Sequence, residues 1–339
     1  MRGRNFGRGE REEARVARRK GKGLRTDLGH LPPAKRAELA FAVEVLREEL
    51  AKSLATRQAP ELASGSILKI ILFGSYARGD WVEDPVGRYF SDFDLLVVVS
   101  DERLTDAWEL WEGAEKRLLS ELVSGQRLRT PVSFVVHSLE DVNRQLELGR
   151  YFWVDVLRDG VVLLDTAEAE FVEPRPMSAD VAWAEASAYF EAAMGYVERR
   201  FRGYELEAKE GWDDAEWRRD AAFMMHQIAE RLYHAVLMVF TLYVPKSHNL
   251  IFLRKRTDPF DPRLREVWPT ETKFQKRSFE LLRAAYVKAR YSPHYRVSNE
   301  ELEWMASRVR LLEQVVKDAC AKRLLAIQAE AAGGLTVSS

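Results

Sequence analysis

The sequence predicts an α/β domain, a mixed sheet with flanking helices, followed by an all-α helical bundle. Three observations predict it. The runs "ILKIILF" (67–73), "DLLVVV" (94–99) and "PVSFVVH" (131–137) are rich in Val, Ile, Leu and Phe and bounded by polar residues, Gly or Pro, as strands are. Helix-like stretches separate them. After "VEPRPM" (172–177), apolar residues recur at helical spacing to about Leu325.

The elements follow in order. "PPAKRAELAFAVEVLREEL" opens on prolines suited to a first helical turn, and Leu39, Val43, Leu46 and Leu50 recur on one face. After the first two strands, "DAWELWEGAEKRLLSELV" is read as a helix, then comes the third strand. A short helix from about Leu139 leads to "YFWVDVLRDGVVLLD", where Asp159-Gly160 turns into a last strand. In the second half, Ala186, Phe190, Ala193 and Val197 line one helix stripe. "GWDD" separates that helix from another over 214–243, which stops before Pro245. Ser298 and Glu301 form a capping box, followed by a stripe of Leu302, Met305, Val309, Leu312 and Val316. The expected divisions are a basic disordered tail (1–32), the α/β domain (33–172), the helical domain (173–328) and a flexible tail (329–339).

Composition narrows the classes. The chain has 339 residues, with 52 Lys plus Arg against 53 Asp plus Glu, a balance that does not by itself indicate a nucleic-acid binder. One cysteine, Cys320, excludes an internal disulfide and fits a reducing compartment, so a cytoplasmic location is expected. No apolar segment follows the basic start, which argues against a secretory signal, and "AVLMVFTLYV" (235–244) is about half of a membrane span. Residues 1–25 hold ten Lys or Arg against three Glu; this is either an electrostatic arm for nucleic acid or a solvated tail.

The chemistry gathers at "ILFGSYARGDW" and "SDFDLLVVVS". Gly74 lets a ligand approach the backbone, Ser75 adds a hydroxyl, and successive N–H groups after a strand cradle phosphate oxygens. Arg78 offers a planar fork of donors. Asp92 and Asp94, at i and i+2, share one face of a strand. Two carboxylates so close repel unless a cation lies between them, and Mg²⁺ beside substrate phosphates is the expected one.

Together, "LFGSYARGD…YFSDFDLLVVV" resembles the nucleotidyltransferase superfamily of DNA polymerase beta and the minimal nucleotidyltransferases, over about 65–165. The resemblance implies that Gly74 and Ser75 hold a nucleoside triphosphate, with ATP the expected one, that Arg78 lies near its phosphates, and that Asp92 and Asp94 bind Mg²⁺. Two departures stand out. The 16-residue spacer between Ser75 and Asp92 predicts a loop, "WVEDPVGRY", at the site mouth. The third strand carries Ser133 where active members carry an acid. One reading is that another acid substitutes, with Glu140 and Asp141 following the strand; in kanamycin nucleotidyltransferases the base comes from a partner subunit's helical domain. Otherwise the acceptor needs no base, or the domain binds nucleotide without transferring it.

The second half, with "HQIAERLYHAVL", "SHNLIFL" and "AYVKARYSPHY", resembles a HEPN domain over about 178–326. That likeness implies homodimer formation and a toxin–antitoxin-like setting. Ribonuclease members carry four to six residues between their Arg and His; here Arg290 and His294 enclose three, and Pro293 opposes a regular helix, so the motif reads as vestigial and ribonuclease action is kept only as a further alternative. By the same likeness Tyr291 and Tyr295 are candidates for self-modification. His226, Glu230 and His234 share a helix face and are expected to form a core or polar network rather than a metal site.

Overall fold

A computed structural model of the chain describes residues 24–55, 62, 64–84, 89–105, 107–166, 170–292 and 294–334. The chain divides into two compact units, residues 1–147 with 153–174, and residues 148–152 with 175–339.

In the first unit, helix α1 (Pro33–Ala55) precedes strand β1 (Ile67–Phe73) and the short helix α2 (Gly74–Arg78). A two-strand ribbon follows, β2 (Glu83–Asp84) with β3 (Tyr89–Phe90), and then β4 (Phe93–Val99). Helix α3 (Ala107–Ser124), strand β5 (Val132–Ser138), helices α4 (Leu139–Glu147) and α5 (Tyr151–Asp159) and strand β6 (Val161–Asp165) complete the series. The sheet has the order β5-β4-β1-β6. β4 and β5 run parallel, whereas β1 is antiparallel to both its neighbours, so the sheet is mixed as expected.

Helices cover both sheet faces, which is why β1 is buried along its whole length rather than alternating. On one face, Phe93, Leu95, Val97 and Val99 pack with Leu39 and Leu46 of α1 and Trp111 and Leu118 of α3. On the other, α4 packs on β4 and β5, and Trp153 of α5 meets the His137 ring edge-on at 4.7 Å. Because side chains alternate along a strand, Asp94, Ser133 and His137 belong to this second face.

Of the span expected as a basic tail, residues 1–23 lie outside the described residues. The remainder is fixed to the unit. The Arg25 carbonyl accepts from Val162 N at 2.7 Å, its guanidinium donates to the Ala77 carbonyl at 2.7 Å, and Leu31 is buried.

The second unit is helical: α6 (Ala179–Gly211), α7 (Ala215–Thr241), α8 (Leu250–Thr257), α9 (Arg263–Glu266), α10 (Lys273–Tyr291) and α11 (Asn299–Gly334). α6, α10 and α11 all pack on α7, whose apolar residues from Ala221 to Val239 are buried on nearly every side. The sequence explains where the helices begin. Asp214 accepts from Glu216 N at 2.8 Å ahead of α7, and Asn249 caps α8 in the same way. Ser298 and Glu301 form the reciprocal pair expected of a capping box, at 2.9 and 3.2 Å. α11 continues through residue 334, so residues 329–334 of the expected flexible tail are helical; 335–339 lie outside the described residues.

Tyr233 is buried, and its hydroxyl accepts from Trp268 Nε1 at 2.6 Å. Tyr233→Phe keeps the ring but leaves the indole N–H without that acceptor. It is expected to lower the stability of this unit by about 1–3 kcal/mol in urea denaturation.

Candidate functional site

β1 ends where the two short motifs meet. Phe73 stands opposite Asp94 in the antiparallel ladder, and Gly74 then turns with φ +74° into α2. That backbone conformation favours glycine, and a Cβ at 74 would run into Oδ2 of Asp94. Gly74 therefore does more than turn the chain: it makes room for a carboxylate. Gly79 closes α2 with φ +89°, its N–H donating to the Ser75 carbonyl at 2.8 Å.

Asp92 precedes β4 and Asp94 lies within it; both are half-buried. The structure brings Gly74, Ser75, Asp92 and Asp94 to one end of the sheet. Ser133 joins them, registered opposite Asp94 on β5 with its hydroxyl donating to Asp92 Oδ2 at 3.3 Å. A hydroxyl thus occupies the third-strand position beside the carboxylate pair. Arg78 is exposed at the end of α2, and its Nε donates to Asp80 Oδ2 at 3.1 Å.

Glu140 and Asp141 do not stand in for the third acid. They follow Ser138, at the opposite end of β5 from Ser133, and five residues of strand separate the two positions by roughly 16 Å. Asp141 is also fully engaged. It lies 2.7 Å from His137 Nδ1 and accepts from Arg144 at 2.6 Å and Gln145 at 3.0 Å. The bond from His137, with those from Gln145 and Arg144, outweighs burial and holds its carboxyl well below the usual carboxylate range.

Sequence reasoning missed a polar node, partly buried, that ties α1 to the β2–β3 ribbon and the loop before β5. Lys35 of α1 reaches Glu83 of β2 at 2.5 Å and Thr130 Oγ1 at 2.6 Å, while Tyr76 donates to the same Glu83 oxygen at 3.3 Å. Lys35 and Glu38, three apart at a helix start, look like a solvated pair in sequence; only the fold turns them inward.

The hard oxygen donors of Asp92, Asp94 and Ser133 suit Mg²⁺ held with substrate phosphates. Among the described residues no group of three or more His, Cys, Asp or Glu side chains converges to hold a metal ion.

In the helical unit, Arg290 lies in the last turn of α10. Its Nε donates to the Tyr286 carbonyl at 2.8 Å, and its guanidinium stands 4.6 Å from the Tyr286 ring centroid and 4.9 Å from that of Phe223. His294 is exposed beyond the helix end, which Arg219 closes by donating to the Ala289 carbonyl at 2.8 Å. Arg290 and His294 therefore do not share a helix face. Pro293 lies outside the described residues, as does the placement of the Tyr291 side chain. Tyr295 is a poor target for self-modification: it is 3 % exposed, its hydroxyl donates to the Leu281 carbonyl at 2.8 Å, and burial pushes its pKa up.

The expected polar network of α7 is present. His226 is buried between the carbonyls of Leu282 (3.0 Å) and His248 (3.1 Å). Glu230 binds His248 at 2.9 Å, and burial, which would raise its carboxyl, is outweighed by His226 and His248, so it is held down to about 2. Burial pushes His234 down to about 4.

Asp141 gives a pH test. Its folded-state pKa is depressed, so its stabilising contribution is complete above the unfolded carboxylate value of about 4 and is lost as pH falls below it. The urea midpoint of Asp141→Asn is expected to fall below that of the natural protein at pH 7, and the two midpoints to converge as pH drops from 4 toward 2.

Comparison with known proteins agrees with this division. A family model for the nucleotidyltransferase domain matches residues 48–127, spanning Gly74, Ser75, Arg78, Asp92 and Asp94 and ending before Ser133. A model for the HEPN domain matches residues 206–319, from the end of α6 into α11. No curated protein matches the chain. The chain thus carries a nucleotidyltransferase domain followed by a HEPN domain.

Proposed function

We propose that the first unit is a Mg²⁺-dependent nucleotidyltransferase that passes a nucleoside monophosphate from a nucleoside triphosphate, ATP first among the candidates, to a hydroxyl acceptor. One observation carries the reading: Gly74, directly after β1, is packed against the Asp94 carboxylate, which supports a single site made of this turn and the carboxylate pair.

Each residue then has a chemical task. Gly74 admits the triphosphate to the backbone, Ser75 donates to its oxygens, and Arg78 can exchange Asp80 for phosphate at the mouth. Asp92 and Asp94 would hold Mg²⁺, which neutralises phosphate charge when bound. The acceptor oxygen attacks the α-phosphorus, the bond to pyrophosphate breaks, and the acceptor proton must leave. Positioning and charge neutralisation account for most of the rate in such displacements.

Ser133 favours a second reading. A serine hydroxyl is not a base near neutral pH, and it stands where an acid would serve both the metal and the acceptor proton. On this reading the first unit binds Mg²⁺–nucleotide and regulates without turnover.

Incubation with Mg²⁺ and each α-³²P-labelled nucleoside triphosphate separates the two. For a transferase, pyrophosphate is released with one of them, and Asp92→Asn/Asp94→Asn lowers the rate by at least about a thousandfold, as expected when charge stabilisation of the transition state is removed. Metal-dependent binding without release, across protein, RNA and small hydroxylated acceptors, favours the sensor.

A further inference from the structure

We propose that Lys35 is a positioning residue for this site: it fixes the Asp92/Asp94 pair relative to the Gly74–Ser75 turn. The inference rests on the reading of the first unit as a nucleotide site.

Lys35 sits in the first turn of α1, where a lysine ordinarily points to solvent. Its side chain is instead only 15 % exposed. An ammonium has three donors and no fixed plane, so it can serve acceptors in different directions. Here it lies 2.5 Å from Glu83 Oε1, 2.6 Å from Thr130 Oγ1 and 3.8 Å from Glu38 Oε1. Burial alone would lower its pKa, but the bond to Glu83 together with the nearby charges of Tyr76, Glu38 and Glu83 outweighs that, and the ammonium is favoured.

Each of these contacts leads within a few residues to a candidate site residue. Glu83 begins the ribbon whose two arms are tied at its base, Val82 N to Ser91 Oγ and Ser91 N to the Val82 carbonyl, both at 2.9 Å; Asp92 is the next residue. Thr130 adjoins Pro131, whose carbonyl accepts from Phe93 N at 2.8 Å, and Phe93 lies between Asp92 and Asp94. Glu38 holds the same loop through Arg129 N at 2.9 Å and Thr130 N at 2.8 Å, four and three residues before Ser133. The third connection is aromatic. Tyr76 follows Ser75, donates to the Glu83 oxygen that Lys35 binds, and lies 4.5 Å from the Phe93 ring. The Lys35 ammonium stands 5.7 Å from the Tyr76 centroid and 6.0 Å from that of Phe93.

One cation therefore joins the segment carrying Ser75, the segment carrying Asp92 and Asp94, and the loop into Ser133. Among the described residues none of its contacts is to a candidate ligand-binding atom, so Lys35 acts through its neighbours.

The test measures binding of a non-hydrolysable ATP analogue with and without Mn²⁺, in the full chain, for Lys35→Met, Glu83→Gln and the double variant, with thermal melting as the check on folding. The expected result is that metal-free binding stays within about twofold, while metal-dependent binding weakens at least tenfold in each single variant. The double variant is then no worse than the singles, as for one coupled unit. Equal loss with and without metal, or metal-dependent binding at the natural level, overturns the positioning role. Should Lys35→Met fail to fold, Glu83→Gln, which leaves Lys35 on Thr130 and Glu38, decides by the same criterion. Absence of Mn²⁺-dependent binding in the natural protein would instead overturn the nucleotide-site reading, and the positioning role with it.

Discussion

The candidate site depends on one close approach, the backbone of Gly74 against the carboxylate of Asp94. Two strands of opposite direction meet there, and the last pair of their ladder is Phe73 with Asp94. A side chain at 74 would collide with that carboxylate, and the positive φ that redirects the chain into α2 is open mainly to glycine. The same turn that exposes successive N–H groups thus also brings the acid into reach. Separate them and the unit retains a sheet but loses the convergence of turn backbone and carboxylates on which the proposed chemistry rests.

The surrounding fold holds that approach in place. Helices on both faces bury β1 completely, which fixes its register against β4. β5 runs parallel to β4, so its first residues arrive at the same sheet end as Asp94, and its last residues at the other. This geometry decides between chemically similar groups. Ser133 lies beside the carboxylate pair, whereas Asp141, an acid in the same strand–helix segment, serves to orient His137 and Arg144 at the far end. The absence of an acid on the third strand is therefore not compensated by its nearest neighbours in sequence, and the choice between transfer and binding turns on that substitution.

Much of the fold was legible in the sequence because the signals are local. Runs of Val, Ile and Leu ended by Gly-Ser or begun by Asp mark strands whose limits agree with the structure to within about one residue, and caps such as Ser298 with Glu301 mark a helix start. The pairing of Gly74 with Asp94 was foreshadowed by the two motifs, yet their contact depends on an antiparallel register that no local pattern states. Lys35, Glu83 and Thr130 were not legible at all. They are distant in sequence, ordinary in type, and meet only because α1, the ribbon and the loop before β5 converge. Residues 24–31 misled for the opposite reason: a basic composition suggested a free tail, but one buried leucine and a backbone bridge to β6 fix it.

The most direct test of the single-site account compares Gly74→Ala with Gly79→Ala. Both glycines have positive φ, so alanine strains the backbone at either position, but a Cβ at 79 meets only a ring carbon of His30 at 3.7 Å, with no carboxylate in the way. Mn²⁺-dependent binding of an ATP analogue should fall at least tenfold in Gly74→Ala and remain near the natural level in Gly79→Ala. Equal binding in the two variants would contradict the account, because the approach of Gly74 to Asp94 would then have no bearing on the site.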